Sequence, residues 1–444
     1  MRSHHLPSAA GGALLALTAA AAAQDLGVKA PPQREAIVLT GATLHPVAGP
    51  PLADAAIRFV DGTIQWVGAA AEIVSVTTEG DRIIEVAGKH IYPGFISAVT
   101  SLGLVEIGSI SATRDETEVG DFTPEVRAAV AVNPDSTAMP VTRANGVLAA
   151  GAFPRGGALS GHAAVIQLDG WTWEDMTVTD DAGLVLRWPS RRVRWSRMAP
   201  DAATRALERV TERREKLDEM FGAARAYLAA RAADREVATD LRFDGMRSAL
   251  EGKRPVFAFA DDLESIESVA ELAARHQLRM VLVGGREARL CLDLLKRQDI
   301  AVVVTGTHRL PRMRHDAYDE PFGLPAALEA AGIRWCLATT GGHSNERNLP
   351  YHAATAVAFG LDRDAAVRAI TASAATLLGV GDRLGTLEIG KDATLFVVDG
   401  DPLEITSVVE QAFIRGRAID LRSKHTELAN KYIEKYRQLG LWPE

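Results

Sequence analysis

The sequence predicts an α/β protein in which a (β/α)8 barrel of the TIM type carries a small composite β-sandwich domain. Short apolar strands alternate with helical patterns over residues 93–383, as such a barrel requires. Strand patterns with turn residues fill residues 36–92 and resume over residues 384–420. Because these N- and C-terminal segments flank the barrel at opposite ends of the sequence, we expect them to pair in one domain.

Composition limits the classes of protein to which the chain can belong. Of 444 residues, 47% are hydrophobic and 24% are charged, which is typical of a globular protein. The net charge is −8, from 49 basic and 57 acidic residues, and no basic tract is present. Nucleic acid is therefore not an expected partner, and no stretch beyond residue 23 approaches the length of a membrane span.

Residues 1–23 have the pattern of an export signal. Arg2 precedes the apolar stretch Gly11–Ala23, and three alanines precede Gln24 as a small-residue cleavage site does. No cysteine follows the stretch, so we expect no lipid anchor there. The pattern predicts a chain that is exported to the periplasm or outside the cell, and a disordered alanine-rich tail is the alternative.

The two cysteines, Cys291 and Cys336, lie in apolar helical and strand patterns and are expected to be small buried core residues. A disulfide between them is possible in an oxidising compartment. Two cysteines cannot form a zinc site alone.

The first β segment contains a hairpin signal, since Asp61-Gly62 separates two stretches in which apolar and polar residues alternate. The barrel pattern consists of strand candidates that are almost uniformly apolar, as expected of parallel strands buried on both faces. They are Phe95–Thr100, Val147–Ala152, Ala163–Leu168, Val185–Trp188, Pro255–Ala260, Met280–Val283, Ala301–Val304 and Trp335–Ala338.

Two further helical patterns lie outside the regular alternation. The charged stretch 191–235 is longer than a simple crossover and predicts a helical insertion. The stretch 424–439 has apolar residues at helical spacing and predicts an amphipathic C-terminal helix.

Two passages carry a family resemblance. They are DGTIQWVG followed by GKHIYPGFISAVTSLG, and DRLGTLEIGKDATLFVVDGDPLE at residues 382–404; the segments 115–136, 153–168 and 366–385 agree with them. Over about residues 36–420 the chain resembles the amidohydrolase superfamily, most closely its imidazolonepropionase-like branch. The resemblance implies metal-dependent hydrolysis of C–N bonds other than ordinary peptide bonds. It also implies zinc or another divalent metal at the C-terminal ends of the barrel strands.

The residues that would bind this metal are replaced. The family motif PGFIDxHxH appears here as PGFISAVTS, so Val99 and Ser101 stand at the two histidine positions. Later positions that normally carry His, His and Asp are Phe259, Gly284 and Thr340. Valine, phenylalanine and glycine side chains offer no donor atom, and a serine hydroxyl is a poor zinc ligand.

Some members of the family bridge metal ions with a carboxylated lysine. The nearest strand here ends in Gln167, which cannot be carboxylated. We therefore assign no catalytic residue, no metal ligand and no cofactor.

A displaced site is the alternative. His162, His308 and His343 are expected in turns or after strands at the catalytic end, where Asp261 also lies. Arg155 lies in the FPRGG turn, whose backbone N–H groups suit an anion, although a plain tight turn explains the sequence too. These five residues are candidates for ligand binding in the cleft.

These replacements favour a non-catalytic member of the family, a pseudoenzyme that binds a ligand or pairs with an active relative. Zinc lowers the pKa of its bound water from ~15.7 to ~7, which is worth about 12 kcal/mol in making hydroxide at neutral pH. An active amidohydrolase or dipeptidase-like hydrolase with an atypical displaced site is the alternative. A purely structural envelope protein is a third interpretation.

Overall fold

A computed structural model describes residues 25, 27–192, 200–314 and 316–442. The predicted export signal at residues 1–23 lies outside the described residues, as do residues 193–199 of the predicted insertion.

Strands are found in both regions for which the sequence predicts them. In the described residues they are β1 (Ile37–Leu44), β2 (Leu52–Val60), β3 (Thr63–Ala69), β4 (Arg82–Glu85), β5 (His90–Pro93), β6 (Phe95–Thr100), β7 (Val147–Ala152), β8 (Leu159–Gln167), β9 (Thr177–Arg187), β10 (Val256–Ala260), β11 (Met280–Gly284), β12 (Ala301–Thr305), β13 (Trp335–Ala338), β14 (Leu395–Val398), β15 (Val409–Ile414) and β16 (Arg417–Ala418).

Most helices lie between barrel strands. They are α1 (Ala138–Arg143), α2 (Trp173–Met176), α3 (Pro200–Ala232), α4 (Leu241–Gly245), α5 (Arg247–Leu250), α6 (Leu263–His276), α7 (Leu292–Arg297), α8 (Glu320–Ala330), α9 (Leu349–Ala358), α10 (Arg363–Ala369), α11 (Ala372–Leu377) and α12 (Lys424–Gln438). Among the described residues, no helix is both long and apolar enough to cross a membrane.

One mixed sheet combines strands from the two ends of the chain, as the flanking β patterns predict. Its order is β16-β15-β14-β5-β1-β2-β3, with β4 beside β1. Strand β14 pairs antiparallel with β5, bringing Phe396 opposite Tyr92. The predicted turn at Asp61-Gly62 closes the hairpin of β2 and β3, and both residues have the positive φ that such a turn requires. The composite β domain is confirmed.

The second sheet forms the barrel, with the order β13-β12-β11-β10-β9-β8-β7-β6. Each of its eight strands contains or overlaps one of the eight predicted stretches. Helices α6 to α11 alternate with the later strands, which pair in parallel. The predicted barrel fold is therefore confirmed.

One strand departs from the predicted all-parallel arrangement. Strand β8 runs antiparallel to both β7 and β9. The connections at its two ends contain no helix longer than the single turn Trp173–Met176. A parallel connection needs a crossover of a dozen or more residues, whereas short loops suit antiparallel neighbours. Uniform hydrophobicity does not distinguish these cases, because a strand buried on both faces is apolar in either direction.

The barrel interior is filled with apolar side chains. Val99, Phe153, Val185, Phe257 and Val303 belong to one buried cluster that draws on strands around the barrel. Cys336 lies in the same cluster, and both cysteines are free and buried, as the sequence predicts. The interior is thus a packed core, and any ligand site must lie at its ends.

The long helix α3 lies in the stretch for which a helical insertion is predicted. Leu217, Phe221 and Ala224 are buried along one of its faces. Its arginines hold it to the barrel, since Arg214 pairs with Glu264 at 2.5 Å and Arg225 donates to the His276 carbonyl at 2.5 Å.

Close packing of β6 against β7 gives the first prediction. A methyl group on Gly151 would overlap the Ala98 carbonyl and approach the Phe153 ring to 3.0 Å. We expect Gly151→Ala to lower the free energy of unfolding by about 1–3 kcal/mol, measured by urea denaturation. Gly222→Ala is the control, since that exposed position in α3 has open space, and it should stabilise the protein by about 1 kcal/mol. Equal effects of the two substitutions would contradict the packing argument.

Candidate functional site

The barrel mouth is the end of the barrel at which the seven mutually parallel strands finish. Phe259 and Gly284 mark it at the ends of β10 and β11, and Thr340 lies just beyond β13. Thr340 is exposed, and Phe259 is half-buried. The mouth is therefore accessible to solvent within the described part of the chain.

The positions at which the family motif carries metal ligands hold side chains with other contacts. Val99 is buried in the interior cluster, and Phe259 meets the Phe153 ring edge-on at 6.2 Å. Gly284 has a φ of 102°, and the Asp261 carboxylate fills the space that a side chain would need. Ser101, the residue after β6, is buried. These positions supply two hydroxyls, from Ser101 and Thr340, and no imidazole or carboxylate.

Within the residues that the structure describes, no group of three or more His, Cys, Asp or Glu side chains is arranged to hold a metal ion.

His162 lies within strand β8 and not in a turn, which corrects the sequence interpretation. The ring is buried, with Nδ1 2.7 Å from Asp181 Oδ1 and Nε2 2.7 Å from the Gly245 carbonyl. Both partners offer oxygen acceptors to the ring nitrogens. Both nitrogens are engaged with the protein, and His162 thus fastens α4 to the barrel wall.

The other two candidate histidines have different surroundings. His308 is exposed, stacks on His352 with ring centroids 4.0 Å apart and contacts the Thr355 hydroxyl at 2.8 Å. His343 is half-buried, and burial, with a contribution from Arg155, holds its pKa below the usual value. The structure brings His343 towards Arg155, whereas His162 and His308 have unrelated partners.

Arg155 secures a loop over the mouth. Its backbone N–H donates to the Glu116 carbonyl at 2.6 Å, and its guanidinium lies 3.2 Å from the Glu116 carboxylate. The guanidinium also donates to the Gly341 carbonyl beyond β13. The backbone N–H of Arg155 is therefore unavailable to an anion, but its charge remains at the mouth.

Asp261, which follows β10, belongs to a second charged group with Arg286, Arg309 and Glu320. Its Oδ2 lies 3.4 Å from Arg286 Nε, an ion pair without an aligned hydrogen bond, and its Oδ1 is buried without a partner among the described residues. Arg309 pairs with Glu320 at 3.2 Å nearby. Each of these arginines is paired with a carboxylate, so the group is close to neutral overall.

Sequence reasoning missed Arg187, the last residue of β9. Val185 faces the barrel interior, so Arg187, two residues further along the same strand, points to the same side. Its guanidinium lies 4.4 Å from the centre of the Phe259 ring, and its Nη1 is buried without a hydrogen-bond partner among the described residues. Burial, together with the charge of Arg155, lowers the pKa of Arg187 from its usual value. The available signal was an arginine at an inward-facing position of an apolar strand.

The direction of β8 places Gln167 at the end of the barrel opposite to the mouth. Because β8 is antiparallel, Gln167 pairs with Ala149 near the start of β7, away from the mouth. Its amide lies 3.5 Å from Asp392, on the side of the β domain. The comparison of Gln167 with a carboxylated lysine is therefore wrong.

Sequence reasoning also missed Glu346. Its carboxylate is 1% exposed, and it accepts hydrogen bonds from Ser97 in β6 and from Thr339, at 2.5 Å, after β13. Burial raises the pKa of Glu346 to about 7, against the opposing effect of these hydroxyl groups. No backbone ladder joins β13 to β6 in the described residues, so this carboxyl group bridges the seam of the barrel. No local motif marks Glu346.

Comparisons with known proteins agree with this architecture. The amidohydrolase family profile matches residues 257–419. The chain is 22% identical over 427 residues to amidohydrolase tasK of Hapsidospora irregularis, covering 87% of this chain and 42% of that protein. The chain thus spans less than half the length of this relative.

Solved structures extend the similarity over most of the chain. The amidohydrolase from Thermotoga maritima MSB8 matches with a TM-score of 0.75 and 25% identity, over 87% of this chain and 100% of that one. Phenylurea hydrolase B shares the fold, with a TM-score of 0.53, 16% identity, and coverage of 87% and 97%. Molinate hydrolase also shares it, with a TM-score of 0.52, 17% identity, and coverage of 89% and 96%.

The seam carboxyl gives a pH prediction. The pKa of Glu346 is about 7 in the folded chain and 4.5 as an ordinary glutamate, so the folded state binds the extra proton between these values. Stability from this group is complete below pH 4.5 and is lost as the pH rises through 7, by about 3 kcal/mol. Glu346→Gln should remove this component when the free energy of unfolding is measured between pH 5 and 8. An unchanged pH slope would contradict the assignment, and Glu346→Ala should destabilise the chain at every pH.

Proposed function

The chain belongs to the amidohydrolase superfamily, and we propose that it is a non-catalytic member, a pseudoenzyme that uses its barrel to bind. The imidazolonepropionase-like branch is the part of the family from which we propose that it derives. The observation that carries the proposal is the presence of Val99, Phe259 and Gly284 at positions where the family motif has metal ligands. Their side chains offer no donor atom, and each position is fixed by its packing contacts.

The chemistry of the mouth supports this proposal. A divalent cation needs several nitrogen, sulfur or oxygen donors converging on one point, and the two hydroxyls of Ser101 and Thr340 do not provide them. Arg187 carries a positive charge without an ion-pair partner among the described residues, and this charge opposes a metal cation. The residues present therefore do not fit zinc, and we route no hydrolytic step through a metal ion.

One observation favours the alternative of a hydrolase with a displaced site. Burial places the pKa of Glu346 at about 7, which suits a general base near neutral pH. Its two oxygens, however, already accept hydrogen bonds from Ser97 and Thr339, and the group is almost fully buried. We therefore assign Glu346 to the barrel seam and keep the displaced-site hydrolase as the second candidate.

We also propose export and association with another chain. Residues 1–23 support export to the periplasm or outside the cell. Helix α12 supports association, because Leu428, Tyr432 and Tyr436 occupy one side of it and are 51%, 48% and 40% exposed. An active amidohydrolase relative is the partner that we propose, since a related barrel would benefit from a stabilising or entrance-shaping neighbour.

Metal content tests the loss of catalysis. We expect elemental analysis of the purified chain to find no stoichiometric zinc, manganese or iron, and EDTA to leave its melting temperature unchanged. An amidohydrolase with intact histidines, purified in the same way, is the positive control. Stoichiometric metal with chelator-sensitive hydrolysis of an amide would reverse the proposal in favour of the displaced-site hydrolase.

Association through α12 is tested by native size. We expect the chain from its own cells to co-purify with a relative, and Leu428→Glu with Tyr432→Glu to release it as a monomer in light scattering. Asn430→Glu, on the opposite side of the helix, is the control and should leave the complex intact. A wild-type chain isolated as a stable monomer without any partner would exclude this association.

A further inference from the structure

The charge at the barrel mouth is unevenly balanced. Three of its guanidinium groups have carboxylate partners: Arg155 with Glu116, Arg286 with Asp261, and Arg309 with Glu320. Arg187 has no ion pair and no side-chain hydrogen bond among the described residues, although its Nη1 is buried. An uncompensated buried charge costs free energy, and a bound anion would remove that cost.

The Phe259 ring explains how the protein tolerates this cation without a ligand. The guanidinium lies over the ring at 4.4 Å, where the negative face of the π system partly offsets the charge. The ring does not satisfy the N–H groups at the edge of the guanidinium plane. Those N–H groups form a planar fork, which matches the geometry of a carboxylate or phosphate.

The surroundings of Arg187 also suit an organic anion. Phe259 and Phe153 provide an apolar floor beside the guanidinium, and the two rings pack edge-on. The charges of Arg155 and Glu116, which pair with each other on neighbouring loops, both act on Arg187. Thr340 is exposed across the mouth, so solvent reaches the site from that side.

We propose that the barrel mouth is an anion-binding site, in which Arg187 binds a carboxylate or phosphate group of a small molecule over the Phe259 ring. The proposal rests on the proposed function, because it assigns a cation of the protein to the place where the family holds a metal cation. It gives the non-catalytic barrel a ligand of defined chemistry.

Calorimetric titration of the full-length purified chain tests this site, with sodium acetate, sodium benzoate and inorganic phosphate as probes at constant ionic strength. We expect saturable binding that Arg187→Met weakens by about tenfold or more, since a hydrogen bond to a charged group is lost. Arg187→Lys keeps the charge without the planar fork and should bind with intermediate affinity. Arg235→Met, which removes an exposed arginine after α3, is the matched control and should bind as the wild type does.

The probes distinguish the two sources of the anion. Benzoate binding more tightly than acetate indicates a carboxylate with an apolar body, and phosphate binding more tightly than both indicates a phosphorylated molecule. Without ligand, Arg187→Met should melt at the wild-type temperature or above it, because it removes an uncompensated charge. The absence of saturable binding to the wild type, or equal binding to Arg187→Met, would overturn the proposal.

Failure of this inference is separable from failure of the proposed function. Metal analysis reports on the loss of catalysis without reference to Arg187. The anion titration reports on Arg187 whether or not the chain carries a metal.

Discussion

The barrel depends on closure between its first and last strands, and a single buried carboxyl group bridges that seam. Glu346 connects Ser97 on β6 with Thr339 after β13, where no backbone ladder joins the two strands in the described residues. The loop after β13 strengthens the closure. Thr100 of β6 donates to its Gly342 carbonyl at 2.6 Å, and Arg155 donates to its Gly341 carbonyl. Polar side chains of the protein therefore hold the mouth in shape.

The direction of one strand determines which side chains reach this mouth. The antiparallel strand β8 turns Gln167 towards Asp392 and the β domain. The following strand β9 returns to the mouth and ends in Arg187. If β8 ran parallel to its neighbours, Gln167 would lie at the mouth. A cation of the protein, stacked on Phe259, thus stands at the barrel mouth.

The packing of the barrel and the charges at its mouth involve different residues. Val99 and Phe259 maintain the packing of the barrel interior and its edge. The positive charge of the mouth is distributed over arginines that are mostly paired with carboxylates. The residues that pack the core are therefore distinct from those that carry charge at the mouth.

The sequence alone determined the barrel and the composite β domain. These follow from local information, namely apolar periodicity, the Asp61-Gly62 turn and motifs of consecutive residues. Only the tertiary structure decided the direction of β8, the seam at Glu346 and the unpaired guanidinium of Arg187. Each of these depends on contacts between residues far apart in the chain, and an apolar strand, a loop glutamate and a single arginine leave no local pattern that reveals their partners.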